Sequence, residues 1–194
     1  MIEKKEDRRI TRTRELLHRT FLELLAEKEY EDFTVQEIID RANVNRTTFY
    51  KHYLNKEALA VQIAEKFKQD VVLPLLQQRF NQPFDDFAQL ISPIYQKNQT
   101  TIATMLKINT RHFNLKQDIQ NRFKDKFIEV ASKQNQSDKD IDVQLQAAIF
   151  SNLGTTILEY LLTTNKQFDP VILVKNIKAG MGVFLNGENN SHNK

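Results

Sequence analysis

There is no cysteine in this chain. That absence excludes disulfides, a thiol nucleophile and any cysteine-based zinc site. Tryptophan is also absent, and glycine and proline number only 4 each in 194 residues. So few breakers argue for long helices joined by few turns. No run approaches the ~20 apolar residues that a membrane span needs. The opening segment MIEKKEDRRI has no apolar signal region. The expectation is a cytoplasmic protein with no membrane partner. No glycine-rich phosphate loop, nucleophile elbow or paired-carboxylate motif is present. The histidines, His18, His52, His112 and His192, are scattered, and none has a second histidine or a carboxylate at metal-ligand spacing. Arg111-His112 falls at a predicted helix end, where a cation on the negative end of the dipole is the ordinary explanation. No catalytic residue, metal or cofactor is expected, and an enzyme is not.

What the chain does have is 40% hydrophobic residues, enough for a core, and one dense local pattern, TVQEIIDRANVNRTTFYKHYLNKEAL, from Thr34 to Leu59. Thr34 caps a helix, and Glu37 three residues later completes a capping box. Val35, Ile38, Ile39 and Ala42 follow the spacing i, i+3, i+4, i+7, which makes one apolar face. Asn43 stands at a sharp turn, where few residues other than Gly and Asn tolerate the left-handed conformation. Val44 plugs the core. Asn45 caps the next helix, RTTFYKHY, which buries Phe49 and Tyr53. Its other side carries Arg46, Thr47, Thr48, Tyr50, Lys51 and His52, all hydrogen-bond donors, and no acid. That is the chemistry of a helix laid in a DNA major groove.

The distribution of charge agrees, although the net of +3 says little by itself. Residues 41–56 hold Arg41, Arg46, Lys51 and Lys56 and no acid, and residues 1–14 hold more bases than acids. The acids lie between, from Glu23 to Asp40. Positive charge thus gathers on the elements that would meet phosphates.

The same segment resembles the DNA-binding domain of the TetR family of bacterial transcription regulators. The matching positions are Thr34, Ile38, Ala42, Val44, Tyr50, His52, Tyr53, Lys56, Glu57 and Leu59, within a stretch from about residue 8 to residue 60. Asn43 replaces the usual Gly, Asn45 the usual Ser, and Tyr53 the usual Phe, each a conservative change for its role. The resemblance implies that Arg46, Thr47 and Thr48 face base edges, with Lys51 on the same helix. It implies that Thr34, Tyr50, His52 and Lys56 face phosphates, and that Arg8, Arg9 and Arg12 add contacts from the N-terminal arm. It also implies a homodimer on a palindromic double-stranded operator, released by a small-molecule effector. An activator, or a regulator switched by a protein partner, fits the same family. A helical enzyme or interaction scaffold is the rival from another class.

The whole chain reads as all-α, with a helix-turn-helix domain over residues 1–60 and a helical effector-binding and dimerisation domain over residues 61–194. The first helix is expected from Arg8 to Glu27, with Leu17, Phe21, Leu24 and Leu25 inward. Asn55 caps a helix from Lys56 to about Phe80, kinked at Pro74. Further helices are expected near 84–97, with Pro93 an interruption, 99–110, 114–134, 138–164 and 170–185. Ser137 or Asp138 would cap the fourth of these, and Asp169-Pro170 would open the last. The last two are apolar most of the way round, too far for a helix with one face in water, and are expected to pair with a second copy. Tyr95, Met105, Phe127, Phe150 and Tyr160 are the candidates for lining an effector pocket. Residues Phe150 to Pro170 also resemble a TetR subgroup that includes the dihydroxyacetone-kinase regulator type, without the Trp often found near Leu161.

Overall fold

The computed structural model describes residues 8–134, 140–164 and 167–186. Within them the chain is all-α. The helices are α1 (Arg8–Glu27), α2 (Val35–Ala42), α3 (Arg46–His52), α4 (Lys56–Phe67), α5 (Leu73–Asn81), α6 (Phe84–Leu106), α7 (Leu115–Gln134), α8 (Val143–Thr164) and α9 (Pro170–Asn186).

Local chemistry sets the first four. The Thr34 hydroxyl accepts from the Glu37 amide, and the Glu37 carboxylate accepts from the Thr34 amide, so the capping box is closed. Asn43 ends α2 in the left-handed region, at φ 50 and ψ 48. Asn45 accepts from the Thr47 amide to start α3, and Asn55 accepts from the Ala58 amide to start α4. Leu17, Phe21, Leu24 and Leu25 of α1 then close on Ile38, Ile39, Phe49, Leu59 and Ile63 in one core. Phe21 meets Phe33 edge-on at 5.4 Å, a geometry that the ring quadrupoles favour. Met105, Ile108 and Leu115 belong to the same core, so the end of α6 and the start of α7 are its floor.

Three expectations about helix boundaries change. The kink does not lie at Pro74 itself. A wide turn, Lys68–Val72, with i→i+5 bonding precedes it, and Pro74 stands in the first turn of α5. Proline has no N–H to give and its ring crowds the carbonyl one turn back, so a locally widened helix relieves both demands. Pro93, by contrast, interrupts nothing. Helix α6 runs through it from Phe84 to Leu106, because one lost bond is outweighed by burial of Ala88, Ser92 and Tyr95 around it. The expected break at residue 98 is absent. Helix α8 begins at Val143, capped by Asp142. The expected cap at Ser137 or Asp138 lies outside the described residues. Asp169 accepts from the amides of Val171 and Ile172 to start α9, with Pro170 as its first residue.

The wide turn is also a junction. Lys68 is 1% exposed, and its ammonium donates to Glu65 and Asp118, each at 2.6 Å. Burial pushes the Asp118 carboxyl up, but hydrogen bonds from Lys68 and Arg122 outweigh that and leave it below its ordinary value. This pair ties the end of α4 to α7.

Candidate nucleic-acid interface and ligand cavity

Helix α3 has one buried side chain, Phe49, with Tyr53 buried just behind it. Everything else on it faces outward or is partly covered. Arg46, Thr47, Tyr50 and Lys51 are exposed, and Thr48 and His52 are half-buried. Arg46 reaches back to Gln36 of α2 at 3.3 Å and lies over the Tyr50 ring at 5.5 Å. Thr34 stands at the start of α2 with its hydroxyl already spent on the capping box. The structure therefore puts Arg46, Thr47, Tyr50 and Lys51 outward on a helix that carries no acid, with Gln36 of α2 touching Arg46. His52 sits in the last turn of α3, its ring 6.2 Å from that of Tyr53.

Lys56 is placed otherwise than the sequence suggests. Its ammonium turns inward and donates to the carbonyls of Tyr30 at 2.6 Å and Phe33 at 2.5 Å. It also lies 4.2 Å and 4.7 Å from those residues' ring centroids. Burial pulls its pKa below the ordinary ammonium value, against Glu31, Glu37 and Asp32, which raise it. The side chain is a staple between α4 and the Tyr30–Phe33 turn. Two of its three donors are used there, which leaves at most one for a phosphate. Arg41 turns away in the same manner, in a two-pronged pair with Glu27 at 2.8 Å and 2.9 Å. Of the four cations in the acid-free run, two are structural, and Arg46 and Lys51 remain outward.

His18 supports α3 from beneath. Its Nε2 is 2.8 Å from the Tyr53 hydroxyl, which donates to Gln62 at 2.6 Å. Because the hydroxyl's proton is committed to Gln62, the ring nitrogen is the donor in the first bond. Burial first of all lowers the His18 pKa below its usual value.

A cavity of about 470 Å³ lies between the wide turn, α5, α6, α7, α8 and α9, lined by Val71, Leu75, Ile91, Ile102, Leu158 and Ile177 among others. Tyr95 and Phe150 line it. Met105, Phe127 and Tyr160 do not, which corrects the expected set. Met105 is fully buried in the N-terminal core. Phe127 stacks on Phe150 at 5.4 Å and meets Phe80 edge-on at 6.2 Å. Tyr160 is 51% exposed on α8. Sequence reading missed Arg79, Phe84, Phe87 and Phe168, which line the cavity. The run Phe84, Phe87, Ala88, Ile91, Tyr95 on α6 has helical spacing and could have flagged its wall.

The family model for bacterial regulatory proteins of the tetR family matches residues 20–63. The HTH-type transcriptional regulator YxbF of Bacillus subtilis (strain 168) is 52% identical over 58 residues, which is 29% of this chain and 15% of that protein. Residues 20–63 are a tetR-family DNA-binding segment. The tetR fold extends further. A TetR transcriptional regulator from Streptococcus agalactiae 2603V superposes with a TM-score of 0.62 at 26% identity, over 88% of this chain and 94% of that one. A TerR/AcrR-family regulator from Aquifex aeolicus VF5 shares the fold, with a TM-score of 0.61 at 19% identity over 89% and 99% of the two chains. The proteins matched are transcription regulators, not enzymes. The chain spans only 15% of the length of its curated relative, so what that relative does as a whole is not carried over from it.

Proposed function

We propose that this chain is a homodimeric transcription repressor that reads a palindromic operator through α3 and leaves it when a ligand fills the cavity. The observation that carries the reading is the outward face of α3, where Arg46, Thr47, Tyr50 and Lys51 stand together without an acid on a tetR-family segment. In this reading Arg46, Thr47 and Thr48 meet base edges. Thr34, Tyr50, Lys51 and His52 meet phosphates, and Lys56 contributes mainly by holding the α4 N-terminus, whose amides are themselves phosphate donors. Residues 1–60 are the reading domain, and residues 61–194 bind effector and partner subunit. A helix paired across a two-fold axis gives half-sites one DNA turn apart or somewhat more, roughly 34–36 Å.

Dimerisation is supported by what α8 and α9 leave uncovered. Leu145, Ile149, Val171, Ile172, Val183, Phe184 and Leu185 are all exposed in the single chain, a patch that a soluble monomer rarely tolerates. A second copy would cover it isologously. Ligand release is supported by the cavity, which touches the wide turn that leads to the reading domain. A ligand that fits better when the two reading heads are wrongly spaced would shift the dimer toward that state. The cavity favours this over switching by a protein partner. The resemblance of residues 150–170 to dihydroxyacetone-kinase regulators assigns no effector.

Footprinting on DNA upstream of the protein's own gene tests the reading. A protected palindrome, with binding that weakens steeply as salt rises, is the expected result. Equal affinity for all DNA sequences would contradict it.

A further inference from the structure

Among the described residues the cavity wall carries one charge, and no hydrogen-bond acceptor or counter-ion meets it. Its wall carries five polar side chains: Arg79, Tyr95, Gln120, Ser151 and Thr155. Three are satisfied within the fold. Gln120 donates to Asn152 at 2.7 Å, Ser151 donates to the Ala148 carbonyl at 3.3 Å, and Thr155 donates to the Asn152 carbonyl at 3.0 Å. Arg79 is different. Among the described residues its guanidinium meets no carboxylate and no carbonyl. It is held by aromatic rings alone: Phe84 at 5.1 Å, Phe80 at 5.6 Å and Phe87 at 5.8 Å. Phe84 and Phe87 line the cavity with it.

A surface arginine near the end of a helix is usually explained by the helix dipole, and Arg79 does lie in the last turn of α5. That account does not explain this side chain. Among the described residues it donates to none of the last carbonyls, and burial lowers its pKa, so the helix end is not what holds it. Arginine stays charged. Five N–H donors at the wall of an apolar cavity, fixed in orientation by three rings, match a planar anion, which can accept two parallel hydrogen bonds. The remaining wall matches an apolar body. The Tyr95 hydroxyl is also buried without a hydrogen-bond partner among the described residues.

We propose that the cavity takes an amphiphilic monoanion, an apolar body with a single carboxylate that pairs with Arg79. This rests on the reading of the cavity as the effector site. It narrows the effector class to organic acids, and separates them from neutral and cationic apolar compounds.

The test is calorimetric titration of the full chain with decanoate, decanol and decylammonium, each below micelle-forming concentration. Decanoate should bind tightest. In Arg79→Met, which keeps an apolar stem against the rings, decanoate should lose about tenfold or more in affinity while decanol is unchanged. Arg79→Lys should fall between, because it keeps the charge but not the fork. Circular dichroism of each variant checks that the fold persists. If decanol binds the native chain as well as decanoate does, the anion assignment is overturned while the cavity stands as a ligand site. If Arg79→Met weakens both equally, Arg79 is a packing residue and the inference fails. If none of the three binds, both the inference and the ligand-release reading fail, and operator footprinting still decides DNA binding separately.

Discussion

The two ends of this molecule use apolar residues in opposite ways. In α1 to α4 they are consumed internally. Leu17, Phe21, Leu25, Ile38, Phe49 and Leu59 have no exposed surface at all. In α8 only Ala147 and Ser151 are buried, and in α9 no residue is. Yet α8 and α9 are the more apolar helices by sequence. Hydrophobicity alone therefore does not say where a core is. The N-terminal helices bury their apolar faces on one another and on the junction of α6 and α7, whereas the last two are apolar on faces that stay exposed in the single chain. One end covers its own apolar residues, and the other leaves them exposed, the face on which the proposed dimer would form.

Cutting into the finished core should have the largest effect. Phe49→Ala should cost about 3–5 kcal/mol of unfolding free energy, through lost burial and the cavity left behind. Phe184→Ala, whose ring is 83% exposed, should leave the stability of the isolated protomer nearly unchanged. Denaturant melts at low protein concentration compare the two. Equal losses would erase the contrast drawn above.

At the unfinished end the same comparison sharpens. Phe184→Asp should produce monomers, because pairing would bury an unpaired charge at about 3–5 kcal/mol. Sedimentation at micromolar concentration reads this directly. Ile157 is a less clean site for such a charge, since it also lines the cavity. A native chain that sediments as a monomer would contradict the dimer reading.

Within the N-terminal unit, Lys56 separates holding from reading. Lys56→Met strips the donor from the Tyr30 and Phe33 carbonyls and should cost roughly 1.5–3 kcal/mol of stability, the range for hydrogen bonds to a charged group. If stability is untouched and only affinity falls, with a salt slope reduced by about one, Lys56 is a phosphate contact after all.

The smallest effect expected is a pH dependence. His18 has its pKa lowered from 6.5 by burial. The unfolded chain thus binds the proton more readily than the folded one. Its contribution is complete above pH 6.5 and is lost as pH falls through the lowered folded value. His18→Gln should flatten the stability profile in that acidic window, whatever constant offset the loss of the Tyr53 bond adds at pH 8.

How much of this was legible in the sequence follows from the range of each interaction. The capping box of Thr34 and Glu37, the left-handed Asn43 and the caps Asn45 and Asn55 are chemistry between residues three apart or fewer, and they read directly. The acid-free face of α3 read as well, since helical spacing fixes which side chains share it. Lys56 did not, because its acceptors, Phe33 and Tyr30, lie 23 and 26 residues upstream and a basic residue beyond a recognition helix looks the same whether it points in or out. The cavity was half legible. Aromatic residues mark apolar space, but only packing decides that Tyr95 borders it while Met105 joins another core. The unpaired state of Arg79 had no local signature at all, because an absent partner cannot be seen in a string of residues.

The central claim is that the outward face of α3 reads bases, and one titration tests it most directly. Arg46→Ala and the native chain are each measured against the footprinted operator and a scrambled duplex, at two salt concentrations. A bidentate contact from Arg46 to guanine predicts a loss of roughly 1–3 kcal/mol on the operator, no comparable loss on scrambled DNA, and relaxed specificity at one base position per half-site. Equal weakening on both duplexes would make Arg46 a backbone contact, and no weakening on either would take α3 out of the groove.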